Sequence, residues 1–293
     1  MNSNKVIVIF CHSRADLLGK CIESLKQADG INTWKVVICQ QLGHADVSEV
    51  ISRNKSFFEM EVRIKPQFNQ TLGNINFNRV TGTSIAFDLF SAEYVLGIEE
   101  DNLIAKDSLG FVDFIYSKYS HYKLFRGINL SSIESGRGIS STTYSLLRSG
   151  LYGSAGVLTK RSWEIIKKKN LFEFVLNNPN APWDSQIEFF LKSGFMVAPN
   201  LSRNLDVGYG GTFAPKSEND SYFISIKDSW NQVDPLNDFY YSRSQITHNL
   251  KFDIVSFRMR HQIFFYFRSF RNLSSFTSKV GINKLISRWF LNK

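Results

Sequence analysis

Apolar runs and polar breaks alternate regularly along the first hundred residues. Residues 5–10 are a near-continuous β-branched run, the pattern of a strand covered on both faces. A polar stretch, 12–16, ends it. Leu17, Leu18, Cys21, Ile22 and Leu25 then recur at helical spacing and predict an amphipathic helix. Residues 34–39 predict a second buried strand, Val47, Val50 and Ile51 a short helix, and 61–65 a third strand. Over 74–92 a helix is predicted, with Ile75, Val80, Ile85, Ala86 and Leu89 towards the core. Residues 94–98 predict a fourth strand, which runs directly into Glu99-Glu100-Asp101.

Strands and helices in strict alternation imply an α/β fold with a mostly parallel central sheet and helices on both faces. Ligands of such sheets bind beyond the carboxyl ends of the strands. The polar segments 12–16 and 99–102 both leave strands at that edge, so strand order alone links them. The second half is less regular. It predicts a helix over 108–119, a Ser/Thr/Gly-rich loop over 131–150, and a helix over 160–169 capped by Thr159. A helix over 183–193, a strand over 195–198, a Gly-rich stretch over 206–211 and a polar wrap over 214–245 follow.

Composition changes this picture at one end of the chain. With 293 residues, 43% hydrophobic and 21% charged, the chain can bury a large core. Its net charge is +9, but residues 251–293 hold nine Lys/Arg against one acid, Asp253, so +8 of it sits in the tail. The rest is nearly neutral, which argues against nucleic acid as a partner. Nine Phe and Trp side chains interleave with the cations of the tail, a pattern that predicts an interfacial helix on an anionic membrane surface. Arg258 and Arg260 interrupt the longest apolar run and argue against a span; a helix packed on the domain is the alternative. We therefore expect a catalytic domain over 1–245 and a basic aromatic helical extension over 246–293. Cys11, Cys21 and Cys39 offer neither a disulfide framework nor metal-ligand spacing. Together with the absence of a leader-like apolar run this predicts a cytoplasmic protein, peripheral on the inner face of the cell membrane.

The candidate chemistry lies in Glu99-Glu100-Asp101. Three consecutive acids repel one another unless a positive charge neutralises them. A hard divalent cation with oxygen ligands, Mn²⁺ or Mg²⁺, does so and also bridges a diphosphate. A solvated turn is the plainer alternative.

At this point the residues resemble the GT-A (Rossmann-like) glycosyltransferases, and within them the N-acetylglucosaminyltransferase I and protein O-mannose N-acetylglucosaminyltransferase group. Residues 6–25 resemble that group's opening strand and helix, with Arg14 near its nucleotide-contacting arginine. Val36-Val37-Ile38-Cys39-Gln40-Gln41-Leu42-Gly43-His44 is similar to its second strand, which ends Ser-Gln-Asp-Cys-Gly-His; Gln41 stands where the group has a uracil-reading aspartate. Residues 99–107 resemble Glu-Asp-Asp-Leu-Glu-Val-Ala-Pro-Asp, with Glu100 in place of the middle aspartate. Pro182-Trp183-Asp184, and then Pro199-Asn200-Leu201-Ser202-Arg203, resemble its Trp-Asp and Pro-Glu-Ile-Ser-Arg blocks.

The resemblance implies a metal-dependent, inverting transfer from a nucleotide-diphosphate sugar, with UDP favoured, to a glycan or lipid-linked glycan acceptor. It implies Asp101 as the metal ligand, Glu99 and Glu100 near metal and ribose, and Arg14, Gln41 and His44 around the nucleotide. Asp184, at the start of a helix, is the candidate base, with a plain helix cap as its alternative. Gly210, within Gly208-Tyr209-Gly210-Gly211, is a candidate hinge over the donor. Two other readings compete: a nucleotidyltransferase acting on sugar phosphates, and a non-catalytic carbohydrate-binding protein on the same fold.

Overall fold

The computed structural model describes residues 4–131, 144–147, 155–180, 183, 187, 191 and 194–208. The first half comprises β1 (Lys5–Cys11), α1 (Ala15–Lys26), β2 (Lys35–Gln41), α2 (Ala45–Arg53), β3 (Met60–Ile64), α3 (Thr71–Ser84) and β4 (Tyr94–Glu99). Then come β5 (Asn102–Ile104), α4 (Ser108–Tyr119), β6 (Phe125–Asn129), β7 (Tyr144–Leu147), β8 (Gly156–Thr159) and α5 (Lys160–Lys167). Finally there are α6 (Leu171–Asn177), β9 (Phe195–Pro199) and β10 (Asn204–Asp206).

The fold is α/β with a mostly parallel central sheet in the order β3-β2-β1-β4-β8-β6-β9-β7. Only β7 and β8 run against the other strands. Alternate residues of the buried strands feed two cores, as a period of two requires. Ile7, Ile9, Val36, Ile38, Leu96 and Ile98 pack against α1, α2 and α4, through Leu18, Ile22, Val47 and Phe111 among others. Val6, Val8, Phe10, Val37, Cys39 and Val95 face the other way, onto Val80 of α3, Trp163 of α5, and Trp183, Ile187 and Leu191. Those last three, each buried and four residues apart, lie on the predicted 183–193 helix. Burying each such aliphatic side chain contributes roughly 1.5–3 kcal/mol before entropy is counted.

Register places the site. Phe10 lies opposite Glu99, and Cys11 opposite Gln40, so β1, β2 and β4 end side by side at one edge. The separate two-stranded ribbon of β5 and β10 sets Asp206 opposite Asn102, carrying the chain after β9 back across the acidic turn. A buried ion pair fixes this return: Arg203 Nε lies 3.0 Å from Asp107 Oδ2, both side chains 6% exposed. Arg203 also donates its backbone N–H to Leu130 O at 2.8 Å and its carbonyl accepts from Ala105 N at 3.1 Å.

Four features differ from the pattern reading. The helix predicted over 74–92 is α3 followed by a π-helical turn, Ile85–Leu89, and Leu89 is 63% exposed rather than buried. The buried face of α3 is polar and small (Asn74, Asn76, Asn78, Arg79, Gly82, Thr83), so an apolar stripe does not mark it. Gly82 explains the close approach: a Cβ there would come 2.6 Å from Cys39 Sγ and 2.8 Å from Val8 Cγ1. The loop predicted over 131–150 contains β7, whose pairing with β9 completes the sheet. Strands β5, β6, β8 and β10 were too short or too mixed in sequence to stand out. The wrap over 214–245 and the tail lie outside the described residues.

Candidate active site

Glu99 is the last residue of β4, and Glu100 and Asp101 form the turn into β5. Glu100 is 4% exposed and both oxygens of its carboxylate are engaged. It accepts from His12 N at 2.7 Å, Ser13 N at 3.3 Å and Arg14 Nε at 3.3 Å. With Glu100 N donating to Phe10 O at 3.0 Å, this residue fastens the loop after β1 to the turn after β4. The carboxylate thereby presents Arg14 to its neighbour.

Asp101 is 5% exposed. Its Oδ2 receives Arg14 Nη2 at 2.5 Å, and its Oδ1 receives Asn102 Nδ2 at 3.2 Å. Its backbone carbonyl accepts from Val207 N at 2.9 Å, so the chain leaving β10 passes directly over it. There Gly208 N donates to Asp206 Oδ1 at 2.8 Å, and Gly208 O accepts from Arg14 Nη1 at 3.4 Å.

Charge is in surplus here. Burial first, then Glu99 and Asp206, push the Asp101 carboxyl up to about 7; Arg14 pulls it back and Glu100 adds to the rise. Arg14 loses to burial but gains more from Asp101 and Glu100, and its guanidinium is held above its ordinary value. Glu99 has its own cation, the buried Arg79 of α3, which also lies over the Phe10 ring with 5.3 Å to its centroid.

The edge beside β2 is partly unsatisfied. Gln41 is 6% exposed, and its Oε1 and the Oδ1 of Asn78 are buried without a hydrogen-bond partner among the described residues. Such a group costs about 1–3 kcal/mol unless a ligand or solvent meets it. Gln40 looks to the other face, where Nε2 donates to Ser48 Oγ at 2.6 Å. His44 precedes α2, and its ring meets that of His12 edge-on at 4.9 Å between centroids. Burial, then His44, lower the His12 imidazole below its ordinary value, against an upward pull from Glu100.

Of the residues singled out in the sequence, Arg14, Glu100 and Asp101 are in direct contact, and Glu99 adjoins them. Gln41 and His44 line the same edge one strand over. Asp184 and Gly210 lie outside the described residues, as do residues 209–211 of the Gly-rich stretch. Pattern reading missed Arg79 and gave no role to Asp206. The signal for Arg79 was the failure of apolar periodicity across Asn74, Asn76 and Asn78. Asp206 had none, because only the β5–β10 pairing brings it to Asp101.

Among the described residues no three His, Cys, Asp or Glu side chains form a cage for a metal ion. The donor set at Asp101 nonetheless fits a hard divalent cation. Its groups are all oxygens, and Glu99 and Asp206 add negative charge to a buried carboxylate. Mg²⁺-type ions are held by one or two carboxylates and completed by phosphate oxygens and water, not by all-protein cages.

No protein-family model matches the chain, and no curated protein does. Among solved structures it is similar to S. aureus TarS, at 13% identity over 66% of this chain and 35% of that one, with a TM-score of 0.47. The 1–349 portion of S. aureus TarS in complex with UDP matches at 14% identity over 66% of this chain and 57% of that chain, with a TM-score of 0.44. The mannosyltransferase PcManGT from Pyrobaculum calidifontis, in complex with GDP-Man and Mn²⁺, matches at 12% identity over 57% and 47%, with a TM-score of 0.39. The chain thus spans from 35% to 57% of the length of these proteins.

Proposed function

We propose that the chain is a metal-dependent, inverting glycosyltransferase of the GT-A type that moves a sugar from a nucleotide-diphosphate sugar to a glycan or lipid-linked acceptor. One observation carries the reading: Asp101, buried and surrounded by acids, is met by Arg14 at the carboxyl edge of a parallel sheet. Anionic ligands and cations are recognised at such an edge. Asp101 would hold Mn²⁺ or Mg²⁺, with Glu99 beside it. A bound cation supplies charge to offset what builds on the leaving diphosphate.

The residues of the chain have separate tasks in this reading. Arg14 supplies a planar, permanently charged fork for diphosphate oxygens. Glu100 positions Arg14 and the loop after β1 rather than meeting the ligand. Gln41 Oε1 accepts from an imino N–H of the nucleobase, which satisfies an atom otherwise buried without a partner among the described residues; uracil supplies such a group, and UDP is the favoured nucleotide. His44, braced by His12, adds an aromatic surface beside it. Gly210 serves as hinge, and Asp184 takes the proton from the acceptor hydroxyl. The tail, in the same proposal, brings the domain to an anionic membrane; co-sedimentation with anionic vesicles at low salt, lost on deleting 251–293, tests it.

A panel of nucleotide sugars, assayed for Mn²⁺-dependent product release, tests the function. Release of nucleoside diphosphate is expected. Pyrophosphate as product would assign a nucleotidyltransferase instead, and no turnover or binding of any donor would leave a non-catalytic domain. In the active case Asp184→Asn should lower turnover by about 10²-fold or more while donor affinity holds, as loss of a base requires.

A further inference from the structure

Both carboxylate oxygens of Asp101 are already engaged. Oδ1 is met by Asn102, which is fully buried on β5, and Oδ2 by Arg14, whose side chain is 34% exposed at the end of the β1 loop. A divalent cation that takes either oxygen must crowd or displace one of these donors. Asn102 is fixed in the ribbon and walled in. Arg14 is long and partly open to solvent, held besides by Glu100 at Nε and by Gly208 O at Nη1. Among the described residues it is also the one side-chain cation paired with Glu100 and Asp101. A guanidinium and a divalent cation a few ångströms apart repel each other strongly in so buried a setting. The two therefore compete for the same carboxylate.

A diphosphate changes the balance. It offers Arg14 a second anion with matching bidentate geometry, and charge-assisted bonds to phosphate are at least as strong as those to a carboxylate. We propose that Arg14 is a resident counter-cation of Asp101: it neutralises the acidic turn in the donor-free protein, keeps a free divalent cation out, and transfers to the diphosphate when the donor arrives. Nucleotide binding thereby opens the cation site. This rests on the donor reading above and adds an order of events to it. Because coupling between two ligands is reciprocal, the cation must tighten nucleotide binding by the same factor that the nucleotide tightens cation binding. A static role for Arg14, as a staple between the loop after β1 and the turn, makes the opposite demand: its removal would loosen Asp101 and weaken cation binding.

The test measures free Mn²⁺ by its paramagnetic resonance signal during titration of the full chain, alone and with UDP or GDP. In the wild type, either nucleotide that binds should tighten Mn²⁺ by about 5- to 150-fold, the usual span of such coupling. Arg14→Gln should bind Mn²⁺ alone at least about 5-fold more tightly than the wild type, and the nucleotide's enhancement should shrink by about the same factor, leaving what the phosphate oxygens supply directly. Arg14→Lys keeps the charge and should stay close to the wild type for Mn²⁺ alone. Arg14→Gln that unfolds at the wild-type temperature yet binds Mn²⁺ equally or more weakly overturns the proposal. So does a wild type whose Mn²⁺ affinity is unchanged by a nucleotide that it demonstrably binds, a result that needs no variant to fold. A wild type that binds neither nucleotide, with or without Mn²⁺, removes the donor reading itself and this inference with it.

Discussion

Gly208 lies so close to Asp101 that a Cβ at position 208 would overlap the carboxylate, falling 2.7 Å from its Cγ and 2.8 Å from Arg14 Nη1. The sequence requirement here is steric. Any side chain must push the segment after β10 off the acidic turn or push Asp101 out of place. Gly208→Ala is therefore expected to leave the sheet intact but weaken Mn²⁺-dependent nucleotide binding by about 10-fold, or ~1.4 kcal/mol. Calorimetric titration of both proteins checks this; equal affinities would mean that the segment over Asp101 plays no part in the site.

The pair Asp107–Arg203 gives a stability prediction separate from function. Burial pushes the Asp107 carboxyl up while Arg203 pulls it down, so losing Arg203 strands a buried acid. Arg203→Met should cost about 3–5 kcal/mol in urea unfolding. The double variant Asp107→Leu with Arg203→Met should recover most of it, since replacing both partners leaves no charge without its counterpart. A single variant as stable as the wild type would show that the return of the chain across the acidic turn is held by its backbone bonds alone.

The raised Asp101 carboxyl sets a pH dependence. In the folded protein it binds a proton more tightly than the unfolded chain does, with a value of about 7 against an ordinary 3.8. Stability from this group is thus fully present below about 4 and is lost as pH rises towards and through 7. The loss in metal-free protein should be on the order of a few kcal/mol, and Asp101→Asn should flatten it. Thermal unfolding across that range, with chelator present, is the measurement. A wild-type curve that does not separate from that of Asp101→Asn would show that the acids around Asp101 exert no net strain.

The legible parts of the fold were those where one residue pattern meets one environment. Continuous β-branched runs gave β1 and β2 because those strands are covered on both faces. The amphipathic spacing of Leu18, Cys21, Ile22 and Leu25 gave α1, and α4 fell on its predicted bounds. Thr159 does cap α5, accepting from Ser162 N at 3.1 Å. The polar face of α3 was not legible as buried, because hydrophobic periodicity cannot register a helix that turns asparagines and an arginine inwards. Within the site, the acidic turn and Arg14 could be linked through strand order alone. Their relation to Asp206, Val207 and Gly208 could not, because it depends on the pairing of two three-residue strands about a hundred positions apart. The resemblance puts Glu100 near metal and ribose; its three hydrogen bonds to the loop after β1 are a connection that no local pattern encodes.

In the proposed function Asp101 holds a divalent cation beneath a nucleoside diphosphate. Calorimetric titration of UDP and of GDP into wild type and Asp101→Asn, each with Mn²⁺ and with chelator, tests it most directly. The wild type should bind one of the nucleotides at least about 10-fold more tightly with Mn²⁺, and Asp101→Asn, folded and of wild-type or greater thermal stability, should show no Mn²⁺ effect. Equal Mn²⁺ enhancement in both proteins would contradict it.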